Sequence, residues 1–162
     1  GRGRTALTFR ELHAESDAVA HGLTHAGVGR GTRVAVMVPP SLEFFALVFG
    51  LFKAAAVPVL IDPGMGVRGV GNCLAEAEPA AFVGVPKAHV ARRLFGWAKR
   101  SVRVTVNVGR RRFFCHHSLA ALTAASAGRP FTPPAVAADD VAAVLFTSGS
   151  TGPAKGAEYT HG

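Results

Sequence analysis

The sequence predicts an α/β fold, a largely parallel sheet with helices packed on it. Two observations carry this. Short valine-rich apolar runs alternate with helix-length segments whose apolar residues recur at 3.6-residue spacing. Strands joined through helices of that length need right-handed crossovers, so they run parallel.

Thr8-Phe9-Arg10-Glu11 fits a capping box, with Thr8 at the N-cap and Glu11 reaching back. Leu12, Val19, Ala20, Leu23 and Ala26 then mark one helical face, and Gly27 supplies a stop. RVAVMV (33–38) reads as a buried strand closed by Pro39-Pro40. Ser41 can cap a helix over 42–55, and Val57 to Ile61 reads as a second strand. A helix near 67–77, a strand AFVGV (81–85), a helix near 87–98 and a strand VRVTVNV (102–108) follow. Residues 110–138 look irregular apart from a short helix near 118–127. Asp139-Asp140 lead into a last apolar strand, VAAVLFT (141–147).

A chain of 162 residues suits one domain that buries roughly 70% of its unfolded surface. Hydrophobic residues at 49% and charged residues at 17% exclude an intrinsically disordered chain. Cys73 and Cys115 give no disulfide framework and suit a reducing, cytoplasmic setting. No apolar signal segment follows Gly1-Arg2-Gly3-Arg4 and no methionine opens the sequence, so a cut start is expected. The longest apolar run, 44–61, is interrupted by Lys53 and Pro58 and reads as a helix running into a strand, not a membrane span.

The net charge is +8, and nine basic residues with no acid fall between Lys87 and Arg112. A solvated face explains this best; a surface for nucleic acid, anionic lipid or an acidic partner is the alternative. Stacking aromatics support the alternative only through Phe113 and Phe114.

Three loops could hold phosphate or metal. Phosphate needs converging backbone N–H groups, hydroxyl donors and a positive charge. Thr147-Ser148-Gly149-Ser150-Thr151-Gly152-Pro153-Ala154-Lys155-Gly156 supplies all three, directly after a predicted strand. A Walker A loop is excluded, because Ala154 and Gly156 stand where a glycine and a hydroxyl residue belong. Gly64-Met65-Gly66-Val67-Arg68-Gly69 matches the dinucleotide fingerprint G-x-G-x-x-G, which keeps an NAD(P)-binding oxidoreductase as an alternative. The acid that should close the next strand is missing, however, and Glu76 and Glu78 come too early. A turn before a helix is the simpler expectation. In Cys115-His116-His117, adjacent residues rarely point at one ion and no second ligand pair follows.

The run FTSGSTGPAKG (146–156) resembles the phosphate-loop signature of the AMP-forming adenylating enzymes, an aromatic followed by T-S-G-[ST]-T-G-x-P-K-G. Ala154 replaces the usual proline. LTFREL (7–12) and the segment 27–63 resemble that family's preceding regions, with Ala55 where glycine is common. Within the family, VLIDPG, residues 73–97 and STGPAKG look most like the β-lactone synthetases of long-chain olefin biosynthesis, relatives of the long-chain fatty acyl-CoA ligases.

The resemblance implies that residues 1–162 are a partial N-terminal AMP-binding domain, the incomplete front of a large α/β domain. Its partners would be ATP with Mg²⁺ and a fatty or hydroxy-fatty carboxylic acid. Coenzyme A would act as acceptor in the ligases and the substrate's own β-hydroxyl in the lactone-forming branch. Thr147, Ser148, Ser150 and Thr151 would offer hydroxyls. Gly149, Gly152 and Gly156 would permit backbone approach, and Lys155 would meet phosphate charge. The family's later motifs and its lid lysine lie beyond Gly162, so no catalytic residue is expected within this chain and the chain alone should be inactive. Nucleic acid is not an expected partner; proteins of a biosynthetic assembly are compatible with the reading.

Overall fold

A computed structural model describes residues 6–109, 115–147 and 156–162 of the chain. Helix α1 (Phe9–His25) begins at the expected capping box: Thr8 Oγ1 accepts from the Glu11 N–H at 3.2 Å, and Glu11 Oε2 accepts from the Thr8 N–H at 2.8 Å. Strand β1 (Arg33–Met37) leads to α2 (Leu42–Lys53), whose first turn is capped by Ser41 Oγ accepting from the Phe44 N–H at 3.1 Å. Then come β2 (Val57–Ile61), a 3-10 turn (Pro63–Met65), α3 (Gly66–Ala77) and β3 (Ala81–Gly84). The chain continues through α4 (Pro86–Phe95), β4 (Val104–Asn107), β5 (His117–Ser118), α5 (Leu119–Ala124), β6 (Val141–Phe146) and β7 (Ala157–Thr160).

Among the described residues these strands make one sheet in the order β5-β4-β3-β1-β2-β6-β7. Every pairing is parallel except β6 with β7. The step from β1 to β2 moves one way across the sheet, and the step from β2 to β3 moves back over β1. Right-handed crossovers therefore put the connecting helices on opposite faces. The core divides accordingly. Val34 and Val36 of β1 join Val19 and Leu23 of α1 and Leu47 and Leu51 of α2, while Ala35 joins Cys73 and Leu74 of α3 and Phe82 of β3. Alternation along β1 thus feeds two separate layers. Leu23, Leu47 and Leu51 are fully buried, each contributing roughly 1.5–3 kcal/mol.

Some expected bounds are corrected. The helix expected to reach 98 stops at Phe95, because Gly96 turns left-handed at φ +65° with its N–H on the Arg92 carbonyl. The strand expected from 102 starts at Val104, since Val102 still belongs to a turn, its N–H on the Ala98 carbonyl at 3.0 Å. The short strands β5 and β7 were not expected at all. The apolar run 44–61 divides into α2 and β2, and no helix among the described residues is long and apolar enough to cross a membrane.

Candidate functional site

In the sequence, the glycine- and hydroxyl-rich segment lies between β6 and β7. Its leading stem is fixed by the sheet: β6 runs parallel to β2 with Ile61 opposite Phe146, and the Asp62 N–H donates to the Phe146 carbonyl at 3.1 Å. Thr147 follows, exposed. The expected phosphate contacts Ser148, Gly149, Ser150, Thr151, Gly152 and Lys155 lie outside the described residues. The chain re-enters at Gly156 and returns as β7, with Ala157 opposite Leu145. Thr147 and Gly156 are thereby brought to one point at the carboxyl end of β6. In parallel α/β sheets this edge is where ligands bind, outside the strand ends and near the reversal of strand order.

Gly156 is there for lack of room. A Cβ on it would sit 2.7 Å from Phe146 Cζ and 2.9 Å from Val144 Cγ1, both part of the layer beneath α3. Its N–H donates to Glu76 Oε1 of α3 at 3.1 Å. The sequence offers Glu76 only as an acid too early for a dinucleotide site and gives no sign of this contact; Glu158, the first acid after Lys155, pairs with Arg33 at 2.7 Å. Nothing local marks Glu76, because 80 residues separate it from Gly156.

The G-x-G-x-x-G stretch needs no ligand to explain it. Asp62 caps the 3-10 turn, its Oδ1 accepting from the Gly64 N–H at 2.8 Å, and Gly66 takes φ +70° to pass from that turn into α3. The stretch thus forms a turn leading into a helix, which was the simpler expectation.

Cys115, His116 and His117 do not converge. The His116 and His117 rings lie 6.4 Å apart at 81°, the His116 N–H donates to Thr105 Oγ1 at 3.0 Å, and burial pushes the Cys115 thiol up. Among the described residues no three His, Cys, Asp or Glu side chains gather to hold a metal. In the basic stretch, Arg92 turns inward over the Phe82 ring at 5.7 Å, while Arg110 to Arg112 lie outside the described residues. A cleft of about 620 Å³ opens elsewhere, between α1, α2, α5 and Gly109. Glu15 and Glu43 line it, which ill suits an anionic ligand.

The geometry brings Thr147 and Gly156, the described ends of the hydroxyl-rich segment, to the carboxyl end of β6, the edge at which parallel α/β sheets bind ligands. Residues 2–162 match the profile of the AMP-binding enzymes. The chain belongs to the AMP-binding enzyme family. It is 52% identical over 155 residues to the olefin β-lactone synthetase of Xanthomonas campestris pv. campestris, and 53% identical over 156 residues to that of Stenotrophomonas maltophilia. Each match covers 96% of this chain and 28% of the relative, so the chain spans under a third of these enzymes. The structure of ATP-bound MatB from Rhodopseudomonas palustris superposes with TM-score 0.78 at 29% identity, covering 96% of this chain and 30% of that one. Neither a basic nucleic-acid module nor an NAD(P) oxidoreductase is favoured.

Proposed function

We propose that this chain is the N-terminal part of the AMP-binding domain of an ATP-dependent carboxylate-adenylating enzyme. The observation that supports the reading is that the run FTSGSTGPAKG has its described ends, Phe146-Thr147 and Gly156, together at the carboxyl end of β6, the ligand edge of a parallel sheet. A carboxylate oxygen of the substrate attacks the α-phosphorus of ATP, the bond to the bridging oxygen breaks, and pyrophosphate leaves with that bonding pair. Negative charge builds on the departing β- and γ-phosphates. The hydroxyls of Thr147, Ser148, Ser150 and Thr151, the backbone at Gly149 and Gly152, and the Lys155 ammonium would stabilise it there. Gly156 would serve as the stem that aims the loop.

Identity above half with two olefin β-lactone synthetases favours a hydroxy-fatty acid over a simple one. The substrate's own hydroxyl oxygen would then attack the acyl carbon, close the lactone and expel AMP, the hydroxyl proton passing to solvent. Capture by coenzyme A would make the ligase product instead. Near the loop, Glu76 accepts from Gly156 and Glu158 is paired with Arg33, so neither is assigned to Mg²⁺. The ion would come as the companion of ATP. An ATP-consuming ligase needs the cytoplasmic nucleotide pool, which is where we place it.

The test uses a full-length protein carrying this chain. At about 4 Å and an effective dielectric near 20, a lysine against one phosphate charge is worth about 4 kcal/mol before desolvation. Carboxylate-dependent exchange of labelled pyrophosphate into ATP should therefore fall about 100-fold or more in Lys155→Ala. Unchanged exchange would remove Lys155 from the site.

A further inference from the structure

The contact between Glu76 and Gly156 extends this reading. Glu76 lies in the last turn of α3, exposed, on a helix whose other face is fixed in the core by Val70, Cys73, Leu74 and Ala77. Its Oε1 accepts from the Gly156 N–H at 3.1 Å. Gly156 is pressed against Phe146 and Val144 from the other side, so the contact closes a clamp: β6 side chains beneath, the α3 carboxylate across. The leading stem is held by the same β2–α3 unit, through the Asp62 N–H on the Phe146 carbonyl. Both ends of the loop are thus referred to one rigid segment, Asp62 to Glu76. A loop whose catalytic value lies in preorganised donors needs such fixed ends, because disorder at a stem is paid in lost alignment with the leaving phosphates.

We infer that Glu76 is a positioning residue for the phosphate loop: it acts through the Gly156 amide and never touches ATP. This rests on the assignment of the loop to ATP phosphates. Being negative, Glu76 would repel a triphosphate if it faced one. Its engagement with a backbone donor on the helix side of the stem fits an orienting role and not a binding one.

Two readouts test it. In the unliganded protein, hydrogen exchange of the Gly156 amide should quicken about tenfold in Glu76→Ala. Glu76→Gln, whose amide oxygen still accepts, should keep it protected. This measurement needs no catalysis and stands even if the full-length protein proves inactive toward ATP. In pyrophosphate exchange, Glu76→Ala should raise KM for ATP about tenfold, with the carboxylic acid KM unmoved and Glu76→Gln close to wild type. Equal amide protection in all three proteins overturns the inference. So does a fall in KM for ATP on removing the carboxylate, which would mark Glu76 as a competitor occupying a phosphate-binding N–H. A wild-type protein with no exchange at all would instead overturn the ATP assignment and leave the amide result to judge the clamp.

Discussion

Two helix ends built alike differ by one residue. After α1, Gly27 adopts φ +85°, with its N–H on the Thr24 carbonyl and the Val28 N–H on the Leu23 carbonyl. After α2 the same pair of bonds runs from Ala55 to Phe52 and from Ala56 to Leu51, but Ala55 sits at φ +52°. This is a Schellman end in which alanine does the work of glycine, at a left-handed cost of about 1–2 kcal/mol. Ala55 is 5% exposed, so replacing it also forfeits a buried methyl worth about 0.8 kcal/mol. The strain is the larger effect. Ala55→Gly should raise unfolding free energy by about 0.5 kcal/mol, read as a higher urea midpoint at unchanged m-value. Here the sequence is informative: the family resemblance leads one to expect glycine at this position, and the left-handed backbone at Ala55 gives the physical reason.

At the scale of elements, α1 and α2 cross where Gly50 meets Ser16 and Val19. A Cβ on residue 50 would stand 2.7 Å from Val19 Cβ and 3.1 Å from the Ser16 carbonyl oxygen. Alanine gains about 1 kcal/mol of helix propensity over glycine, but overpacking a close crossing costs about 1–3 kcal/mol. Gly50→Ala should lose about 1–2 kcal/mol net in equilibrium urea unfolding; a gain in stability would show that the helices separate freely. Beside the crossing, Lys53 Nζ lies 2.6 Å from Asp17 Oδ1 and 2.9 Å from the His13 carbonyl, tying the same two helices. These elements were legible because capping residues, apolar periodicity and glycine stops leave local signals. β7 was not: Ala157-Glu158-Tyr159-Thr160 is exposed throughout, so no buried alternation announces it. β5 is a two-residue pairing set by β4 and not by its own composition. The contact between Glu76 and Gly156 was not legible either, since the two meet only through the crossover of α3.

At the scale of the whole molecule, His89 is a group that couples stability to pH. It is 4% exposed, and its Nε2 lies 3.1 Å from both the Gly84 and the Val106 carbonyls, which fixes the proton on Nε2 and joins α4 to β3 and β4. Nδ1 is buried with no hydrogen-bond partner among the described residues. Burial holds the imidazole below its ordinary value of 6.5, and nearby Arg92 adds to the effect. The unfolded chain therefore takes up a proton near pH 6.5 that the folded chain refuses until lower pH, so this contribution is intact above 6.5 and is lost as pH falls. The urea midpoint should drop between pH 7.5 and 5.5. His89→Gln, which keeps a donor but cannot titrate, should flatten that slope while lowering stability at pH 7.5 by about 1–3 kcal/mol. An equal slope in both proteins would move the pH sensitivity to another group.

The sheet also acts as a partition. Val34 and Ala35 are neighbours in sequence, yet they answer to different helices across a wall of backbone. A methyl lost under α2 and one lost under α3 open voids that cannot share a collapse, so their damage simply sums. Such a chain tolerates insults to either half independently, and fails only when their total exceeds its margin.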